Sequence, residues 1–447
     1  MKKSTKMPGP RGFEHLAKIR SFIKAPSSTL LSLALEYGKI FAFGLRPFRI
    51  IYLIGPNANH VVIGDKERNF RCREAYDLLV PIGGEAALIV SDGEAHRRRR
   101  QLLQPAFHKN YVEHYFNDVL ILTDRALDSW RPGQTIDIYQ ALRLIVFKVV
   151  TESLFGKNLG AHSSMLYNKL ETMLRFVNLW PWLQIRLDLA GTLWHRVKRA
   201  RRIIDAIVYT EINRRCGAPT TDDDVLTLLL RASSSDGGGL RKTEVRDLVV
   251  SLLTAAYDTT SATLGWLVYA MLKDPPIWAR AEREYDEFVE NRGLTFRDLS
   301  QLKYIDWAIC ETLRVYSPIM LGLRKVVNPF TFDGYDIPAH SIVAYSPYVT
   351  HHLPSVWSNP EAFSPARWDP DSEGYEAPSL HNYVPFGGGV RRCLGEYFAQ
   401  MEIKIIICRL LHRIKLTLLH RNVKAIGFSA MHPEGGVWVH IDNVRPA

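Results

Sequence analysis

The sequence FGGGVRRCLG, residues 386–395, decides how the rest of the chain is interpreted. It places four glycines around one cysteine, Cys393, just ahead of a run with apolar residues at helical spacing, 396–414. Glycine adopts positive φ and lets a partner come close, so the stretch predicts a tight loop with Cys393 as its exposed point. Amides and the dipole at a helix start favour a thiolate there. We therefore interpret Cys393 as a thiolate ligand.

A single thiolate suits the iron of haem b. It leaves one face of the iron open, and electron donation from sulfur favours cleavage of an O–O bond on that face. Arg391 lies two residues before Cys393 and can pair with a haem propionate. The alternative interpretation is a buried structural cysteine in a glycine turn.

The spacing F-x-x-G-x-R-x-C-x-G resembles the haem-binding signature of the cytochrome P450 family, and no fixed position of that signature is mismatched. The resemblance extends along the chain, with further motifs in the family's order. It implies an iron ligand, Cys393, and a set of haem-binding residues: His96, Arg100, Arg324, Phe386, Arg391, Cys393 and Gly395. It also implies that the other arginines of the run 97–99 face outward, where an acidic electron donor docks. A plain solvated face is the alternative for that run.

The longest helical run, 243–273, carries the sequence AAYDTTS in its middle. Acid and hydroxyl side chains in an apolar helix are costly unless something uses or satisfies them. A threonine can bond back to a carbonyl one turn earlier and bend the helix. The pattern resembles the family's A/G-G-x-D/E-T-T/S element, which implies that Asp258 and Thr259 deliver protons to iron-bound oxygen. Ala256 stands where the family more often has glycine, and a capped polar kink is the structural alternative.

Glu311 and Arg314 are three apart on one helix face, which by itself indicates an ordinary surface pair. The resemblance implies instead a buried E-x-x-R pair joined by Arg367 from the segment FSPAR, with a structural role. Substrate contacts are expected from apolar residues in several segments, with core packing as the alternative for many of them. These candidates are Leu79, Val80, Ala255, Ala256, Ile319, Met320, Leu321, Phe428 and Met431.

Composition limits the partners. The 447 residues carry a formal net charge of +11, but no helix-turn-helix, finger or aromatic stacking motif stands beside the basic runs, so no nucleic acid is expected. The five scattered cysteines favour a reducing, cytoplasmic compartment over a disulfide framework. The long apolar run contains Asp258, which argues for a buried helix and against a membrane span. Nothing in the sequence demands more than a monomer.

The predicted fold is mainly α with a small β region, a single cytochrome P450-type haem-thiolate domain over residues 1–447, with 1–12 as a flexible N-terminal tail. The resemblance implies a monooxygenase that inserts one oxygen atom of O₂ into a hydrophobic substrate of terpenoid, steroid, fatty-acid or polyketide type. No G-x-G-x-x-G follows a strand. Electrons from NAD(P)H are therefore expected through separate proteins, a ferredoxin or flavodoxin with its reductase. The alternatives are a haem-thiolate isomerase or dehydratase that needs no external electrons, and a non-catalytic haem sensor or carrier.

Overall fold

The computed structural model describes residues 6–45, 49–65, 68–180, 183–217, 224–233, 239–289, 292–427 and 429–446. The candidate substrate contact Phe428 and the turn at Arg46 and Pro47 lie outside these residues. The chain forms two compact units, each assembled from three stretches. Unit 1 comprises Met1–Asp77, Cys310–Cys393 and Lys424–Glu434; unit 2 comprises Leu78–Ile309, Leu394–Val423 and Gly435–Ala447.

Helices dominate the described residues, and the strands are short. In chain order the α-helices are α1 Gly12–Lys24, α2 Pro26–Tyr37, α3 Pro56–Ile63, α4 Val80–Gly83, α5 Gly93–Leu103, α6 Phe116–Leu127, α7 Ile138–Phe155, α8 Lys157–Ala161, α9 Ser163–Val177, α10 Leu193–Gly217, α11 Val225–Ser233, α12 Lys242–Lys273, α13 Pro275–Val289, α14 Lys303–Val315, α15 Pro347–His352 and α16 Glu396–Arg413. The strands are β1 Ile40–Phe43, β2 Ile50–Leu53, β3 Phe70–Arg71, β4 Thr135–Asp137, β5 Gly322–Val326, β6 Phe330–Phe332, β7 Tyr335–Ile337, β8 Ile342–Tyr345, β9 Ile414–Leu418, β10 Ala425–Ile426, β11 His432–Pro433 and β12 Trp438–Val444. The predicted fold class is confirmed.

A five-stranded sheet organises unit 1, in the order β1-β2-β8-β5-β3. The β2–β8 pair is parallel and the other pairs are antiparallel. Its apolar side chains pack with those of α3 in one buried cluster that includes Leu53, Val62, Val326 and Val343. Because Ile63 at the end of α3 belongs to this cluster, the sheet fixes the helix that supports the cysteine loop described below.

The N-terminal segment of unit 1 is packed on strand β1. The carbonyl of Pro8 accepts a hydrogen bond of 2.8 Å from the amide of Ala42, and Pro10 is buried. Gly9 has φ of +137°, and a Cβ there would lie 2.3 Å from the Ala42 oxygen. The flexible tail predicted for 1–12 therefore does not describe residues 8–10, which are bonded to the sheet.

Helix α12 is the central element of unit 2. It packs against α4, α7, α10, α11, α13 and α16. Its second half, from residue 260 to 272, is buried at every position, which explains why the sequence is apolar on all sides there. At its N-terminus the Glu244 carboxylate accepts from the Arg241 amide at 3.1 Å. The helix predicted over 243–273 is therefore confirmed and begins one residue earlier.

Helix α7 lies against α12 and begins at a well-made cap. The Asp137 carboxylate accepts hydrogen bonds from the amides of Tyr139 at 3.1 Å and Gln140 at 3.4 Å, and from Val437 at 2.9 Å. These bonds satisfy amides that have no partner within the helix. They also join α7 to the three-stranded sheet β4-β12-β9. The start of α7 is therefore fixed to the body of unit 2.

The segment after residue 77 consists of short helical turns, not of an open loop. Asp247 of α12 accepts from the amide of Ala86 at 3.1 Å. Gly84 has φ of +84°, and a Cβ on it would lie 2.0 Å from the Asp247 carboxylate. The glycine is needed both for its backbone conformation and for the close approach of that carboxylate. Residues 78–92, which include the substrate candidates Leu79 and Val80, are therefore anchored to α12.

Candidate functional site

The cysteine of the deciding stretch stands at the end of a closed loop in unit 1. The amide of Cys393 donates to the carbonyl of Phe386 at 2.9 Å, which joins the two ends. Gly387 and Gly389 have φ of +65° and +58°, values that other residues adopt only with strain. Cys393 is exposed, and none of the five cysteines, all of which are described, forms a disulfide. Helix α16 begins at Glu396, three residues later.

Two glycines of this loop are required by helix α3. A Cβ on Gly388 would lie 2.3 Å from Cγ2 of Ile63, and a Cβ on Gly389 would lie 2.3 Å from the carbonyl oxygen of Ile63. The sequence predicted that the glycines admit a flat partner. The structure gives these two a different function, which is to let the chain's own helix support the back of the loop.

We expect Gly389→Ala to lower the free energy of unfolding by about 1–3 kcal/mol, because the new side chain is strained at positive φ and meets a backbone oxygen. Denaturant unfolding of the purified protein measures this. Gly374→Ala is the matched control, since a Cβ there meets nothing closer than Ser372 Oγ at 3.7 Å and its φ is not in the left-handed region. Equal stability of the two variants would show that Ile63 does not hold the loop.

Glu311 is completely buried and accepts hydrogen bonds from four groups of unit 1. Arg314 donates to both of its oxygens at 2.8 Å, and the amide of Ser364 donates at 3.0 Å. Trp368 donates from Nε1 at 3.0 Å, and Arg367 from Nε at 3.4 Å. The structure thus brings together the predicted Glu311, Arg314 and Arg367, and adds Trp368, which the sequence analysis did not select.

Arg314 donates to three backbone carbonyls as well. Its Nη1 bonds to His351 at 2.9 Å and Pro360 at 2.7 Å, and its Nη2 bonds to Ala362 at 2.8 Å. Arg367 is shared in the same way, since it also pairs with Glu376. A fully satisfied buried guanidinium fixes the course of the chain segments whose carbonyls it binds. The ion pair therefore organises the irregular stretch that leads toward the cysteine loop.

Two adjacent histidines of α15 are buried beside this network. The amide of Val384 donates to Nε2 of His351 at 3.0 Å, so the Nδ1 proton bonds to Ser317 Oγ at 2.8 Å. His352 donates from Nδ1 to the carbonyl of Tyr348 at 2.7 Å. Burial, and then the charges of His352 and Arg314, lower the pKa of His351 well below its usual value. Burial lowers the pKa of His352 to about 4.

We expect stability to fall in mild acid because both imidazoles are neutral in the folded state. Because each histidine has a lower pKa in the folded state, the folded protein binds fewer protons than the unfolded one in mild acid. The free energy of unfolding is therefore highest above the unfolded-state pKa, about 6.5, and decreases as the pH falls below it. For His352 the loss between about pH 7 and about pH 5 is roughly 2 kcal/mol. Urea unfolding at both pH values measures it. His352→Gln should flatten the dependence, and the exposed-site control His420→Gln should leave it unchanged; equal slopes in all three proteins would contradict the prediction.

Arg324 on strand β5 is one of two predicted haem-binding cations of unit 1, and the other is Arg391 in the cysteine loop. Its side chain is buried, with 7% of its surface exposed, and Nη1 donates to the Leu323 carbonyl at 2.8 Å. Its guanidinium lies 5.7 Å from the ring centre of Tyr345 on the neighbouring strand β8. A guanidinium binds carboxylates by charge-assisted hydrogen bonds, so Arg324 is of the right chemical type to pair with a propionate.

In unit 2 the predicted pair His96 and Arg100 lies on α5. His96 is buried and Arg100 is half-buried. The expectation that the arginines between them face outward is correct for Arg97, which is exposed, and wrong for Arg99. Arg99 donates to Glu244 of α12 at 2.7 Å and to Ser91 at 2.7 Å. It turns inward because Glu244, at the first turn of α12, supplies a partner for its charge.

The acid and hydroxyl of α12 have different surroundings. Thr259 donates from Oγ1 to the carbonyl of Ala255 at 2.8 Å, the predicted back-bond. Asp258 is buried, and its Oδ1 lies 3.3 Å from Nη1 of Arg143 on α7. Arg143 also pairs with Glu171 on α9. The sequence analysis missed Arg143 and Glu171; a single arginine in the apolar run 138–155 was the available signal, since a buried charge needs a partner.

The substrate candidates divide between the two units. In unit 1, Met320 and Met431 are buried and Ile319 and Leu321 are half-buried; the Met431 amide donates to the Pro318 carbonyl at 2.8 Å. In unit 2 the candidates lie on or beside α12, and their side chains are more open. There Ala255 is exposed, and the others are half-buried: Leu79, Val80 and Ala256.

The donor set fits a haem. The exposed Cys393 thiol is a soft ligand of the kind that iron accepts, and cationic side chains pair with propionate carboxylates. The predicted arginines are Arg324 and Arg391 in unit 1 and Arg100 in unit 2, and His96 in unit 2 adds a ring that can hydrogen-bond to a carboxylate.

Comparison with known proteins agrees with these features. A family model described as Cytochrome P450 matches residues 7–436. The chain belongs to the cytochrome P450 family. The match includes residues of both units and therefore the cysteine loop, the buried Glu311–Arg314 pair and α12. Members of this family are haem-thiolate oxidoreductases of the monooxygenase type.

Individual relatives and a solved structure are similar to this chain over most of its length. A putative cytochrome P450 139 of Mycobacterium tuberculosis (strain ATCC 25618 / H37Rv) is 38% identical over 425 residues, covering 94% of this chain and 98% of the relative. A cyclooctat-9-en-7-ol 5-monooxygenase of Streptomyces melanosporofaciens is 32% identical over 344 residues, covering 74% and 72%. The solved structure of retinoic acid-bound cyanobacterial CYP120A1 superposes with a TM-score of 0.83 at 26% identity, covering 92% and 93%. The chain therefore has the P450 fold over more than nine-tenths of its length.

No helix in the described parts of the chain combines the length and the apolar character that a membrane span requires. In particular α12, the longest helix, contains charged residues at both ends and Asp258 inside. The burial of α12 explains its apolar composition.

Proposed function

We propose that this protein is a monooxygenase that inserts one oxygen atom of O₂ into a hydrophobic organic substrate. The observation that carries the proposal is the exposed Cys393 at the end of a closed glycine loop, inside a complete family signature. By the family's signature, Cys393 is the residue that would bind the haem iron. When haem b is bound, it supplies activation of O₂ and oxidation of the substrate.

The chain's own residues bind and orient that group. Cys393 supplies the thiolate, and the motif positions Phe386 and Gly395 flank it. Arg324, Arg391, His96 and Arg100 neutralise the propionates by charge-assisted hydrogen bonds. Because Gly388 and Gly389 let α3 pack behind the loop, the thiolate is held in place before the haem binds. This preorganisation avoids the loss of loop entropy on binding.

Proton transfer is assigned to α12. Asp258 takes up and releases a proton at its carboxylate oxygens. The hydroxyl oxygen of Thr259 is the hydrogen-bond acceptor. The Thr259 back-bond to Ala255 occupies the hydroxyl proton, so its oxygen remains available as an acceptor. Thr259→Ala is expected to keep substrate binding and release more peroxide per electron consumed.

The substrate is proposed to be of terpenoid, steroid, fatty-acid or polyketide type. The support is the apolar character of the candidate contacts in both units and two names among similar proteins, cyclooctat-9-en-7-ol for a relative and retinoic acid for a solved structure. Electrons are proposed to come from NAD(P)H through a ferredoxin or flavodoxin and its reductase. The proposed compartment is the cytoplasm.

The first experiment is the visible spectrum of the purified protein, reduced under carbon monoxide. A strongly red-shifted Soret band is expected, and a band typical of histidine-ligated haem overturns the proposal. Cyclooctat-9-en-7-ol, retinoic acid, steroids and fatty acids are then screened for a change of spin state in the ferric protein.

Turnover with ¹⁸O₂ distinguishes the function classes. A monooxygenase requires reductase and electron donor and incorporates one labelled oxygen atom. Product formation without any electron supply, and without label, would identify the isomerase or dehydratase alternative. Ligand binding without turnover under either condition would identify a sensor or carrier.

A further inference from the structure

A buried cluster of charged and hydroxyl side chains in unit 2 surrounds the carboxyl group of Asp258. Arg143 lies at its centre, with 7% of its side chain exposed. Nη1 of Arg143 donates to the hydroxyl of Tyr139 at 2.6 Å, and Nη2 bonds to a carboxylate oxygen of Glu171. The hydroxyl of Tyr257 donates to the same Glu171 oxygen at 2.7 Å. Three helices, α7, α9 and α12, therefore share one guanidinium.

Two carboxylates compete for this single positive charge. Glu171 is the firmly bound one, because both Arg143 and Tyr257 bond to it. Asp258 has the longer contact, 3.3 Å, to a nitrogen whose 2.6 Å bond goes to Tyr139. The guanidinium is therefore locked by other partners and holds Asp258 less tightly. Asp258 can leave that contact without dismantling the cluster.

The two carboxylates also differ in access to water. The Glu171 side chain is 25% exposed, whereas that of Asp258 is 9% exposed. A carboxylate so deeply buried would favour its neutral form, and a nearby cation reverses this preference. A second carboxylate close by opposes the cation. The charge of Asp258 therefore depends on Arg143 in one direction and on Glu171 in the other.

We propose that Arg143 is a positioning residue for Asp258. Arg143 keeps the Asp258 carboxyl ionised and directed toward α7 by a contact that is weak enough to be exchanged during turnover. Glu171 sets the strength of this contact between Arg143 and Asp258. The inference rests on the proposed function insofar as Asp258 is the proton-transfer residue. The inference adds Arg143 on α7 and Glu171 on α9, which belong to none of the motifs described above.

The titratable groups that face Asp258 come from all three helices. From α7 these are Arg143 and Tyr139, from α9 they are Glu171 and Tyr167, and from α12 the neighbour is Tyr257. Burial raises the pKa of Tyr139, Tyr167 and Tyr257, so all three remain neutral hydroxyls. The three tyrosines therefore contribute hydroxyl groups and no charge to this cluster near neutral pH.

The test measures the protonation of Asp258 in the full-length protein, independently of turnover. Carboxyl-¹³C-labelled aspartate is titrated by infrared difference spectroscopy, with Asp258→Asn identifying the band. Arg143→Gln is expected to raise the pKa of Asp258 by about one unit or more, because the cation is lost and Glu171 stays. Glu171→Gln is expected to lower it. The exposed Arg175→Gln on α9 is the control and should produce no shift.

The same variants are then examined for the pH dependence of peroxide release per electron in the reconstituted enzyme. The acidic limb of this pH profile of peroxide release should move in opposite directions for Arg143→Gln and Glu171→Gln. A merely structural role would damage both variants alike. No shift in Arg143→Gln, or shifts of equal sign in both variants, overturns the proposal. If Arg143→Gln does not fold, the expected lowering in Glu171→Gln decides by itself.

Failure of the proposed function gives a different result. An enzyme without a thiolate spectrum or without oxygen incorporation refutes the monooxygenase. The titration of Asp258 is still measured in that protein. A functioning monooxygenase whose Asp258 does not respond to either variant refutes only the role of Arg143 and Glu171.

Discussion

We expect Arg314→Ala to lose about 3–5 kcal/mol of unfolding free energy, because it leaves the buried Glu311 carboxylate without its main cation. The substitution removes two bonds of 2.8 Å to that carboxylate and three bonds to backbone carbonyls. Native proteins are stable by only about 5–15 kcal/mol in total. The variant should therefore accumulate mainly in the unfolded or aggregated fraction. Denaturant unfolding and soluble yield at growth temperature measure the effect.

The chain contains a matched control. Arg97 and Glu94 form an ion pair of 2.7 Å with the same spacing of three residues on a helix, but their side chains are 61% and 79% exposed. The Arg314–Glu311 pair has 0% exposure at both members. Arg97→Ala should cost less than about 0.5 kcal/mol. Similar losses in the two variants would mean that burial does not determine the contribution of Arg314.

A double replacement separates the ion pair from its surroundings. Arg314→Met with Glu311→Leu removes both charges at once and avoids an uncompensated buried carboxylate. It should recover part of the stability that Arg314→Ala loses. The recovery should be incomplete, because the carbonyls of His351, Pro360 and Ala362 and the donors Arg367 and Trp368 lose their partner.

Much of the helical architecture could be predicted from the sequence because its signals are local. The bounds of α7 are set by such local signals, since Asp137 caps the helix and Gly156, with φ of +86°, ends it. The long helix α12 was equally clear, because apolar residues extend over most of its length on both sides of the AYDTTS segment. The motif around Cys393 was also readable, since a fixed spacing of glycines, arginine and cysteine lies within ten residues.

What the sequence did not reveal depends on contacts between distant segments. The glycines of the cysteine loop were explained by a ligand, whereas two of them make room for Ile63, more than 300 residues earlier. Helices α1 and α2 were not predicted from the sequence; α1 exposes two large apolar side chains, Phe13 and Leu16. Arg143 was passed over because its partners Glu171 and Asp258 lie on other helices.

The same limit applies to the functional residues. The acid and hydroxyl of α12 were selected from a motif, but their surroundings were not predictable from it. The structure shows that Asp258 is held by α7, and that the shared guanidinium is bonded more firmly to Glu171 than to Asp258. Motifs therefore indicate candidate residues for the chemistry, and tertiary contacts determine the electrostatic surroundings of those residues.

We expect Cys393→Ser to abolish the red-shifted Soret band of the reduced carbon monoxide complex and to lower oxygen insertion by roughly 10³-fold or more, about 4 kcal/mol of transition-state stabilisation. A serine hydroxyl is close in size but stays protonated, so it supplies neither the negative charge nor the electron donation of a thiolate. The loop itself should persist, because the Cys393–Phe386 bond is made by the backbone. The spectrum, haem content and ¹⁸O incorporation are measured on the same sample.

Cys216→Ser is the control for this prediction, since Cys216 is also an exposed cysteine but lies at the end of α10, outside any motif. It should retain the full spectrum and activity. Stability of Cys393→Ser should remain close to that of the parent protein, which distinguishes loss of a ligand from loss of the fold. If the thiolate band survives in Cys393→Ser, another cysteine binds the iron, and single replacements of Cys72, Cys310 and Cys408 would identify it. Cys72 and Cys408 are buried, so iron binding by either of them would require the fold around it to open.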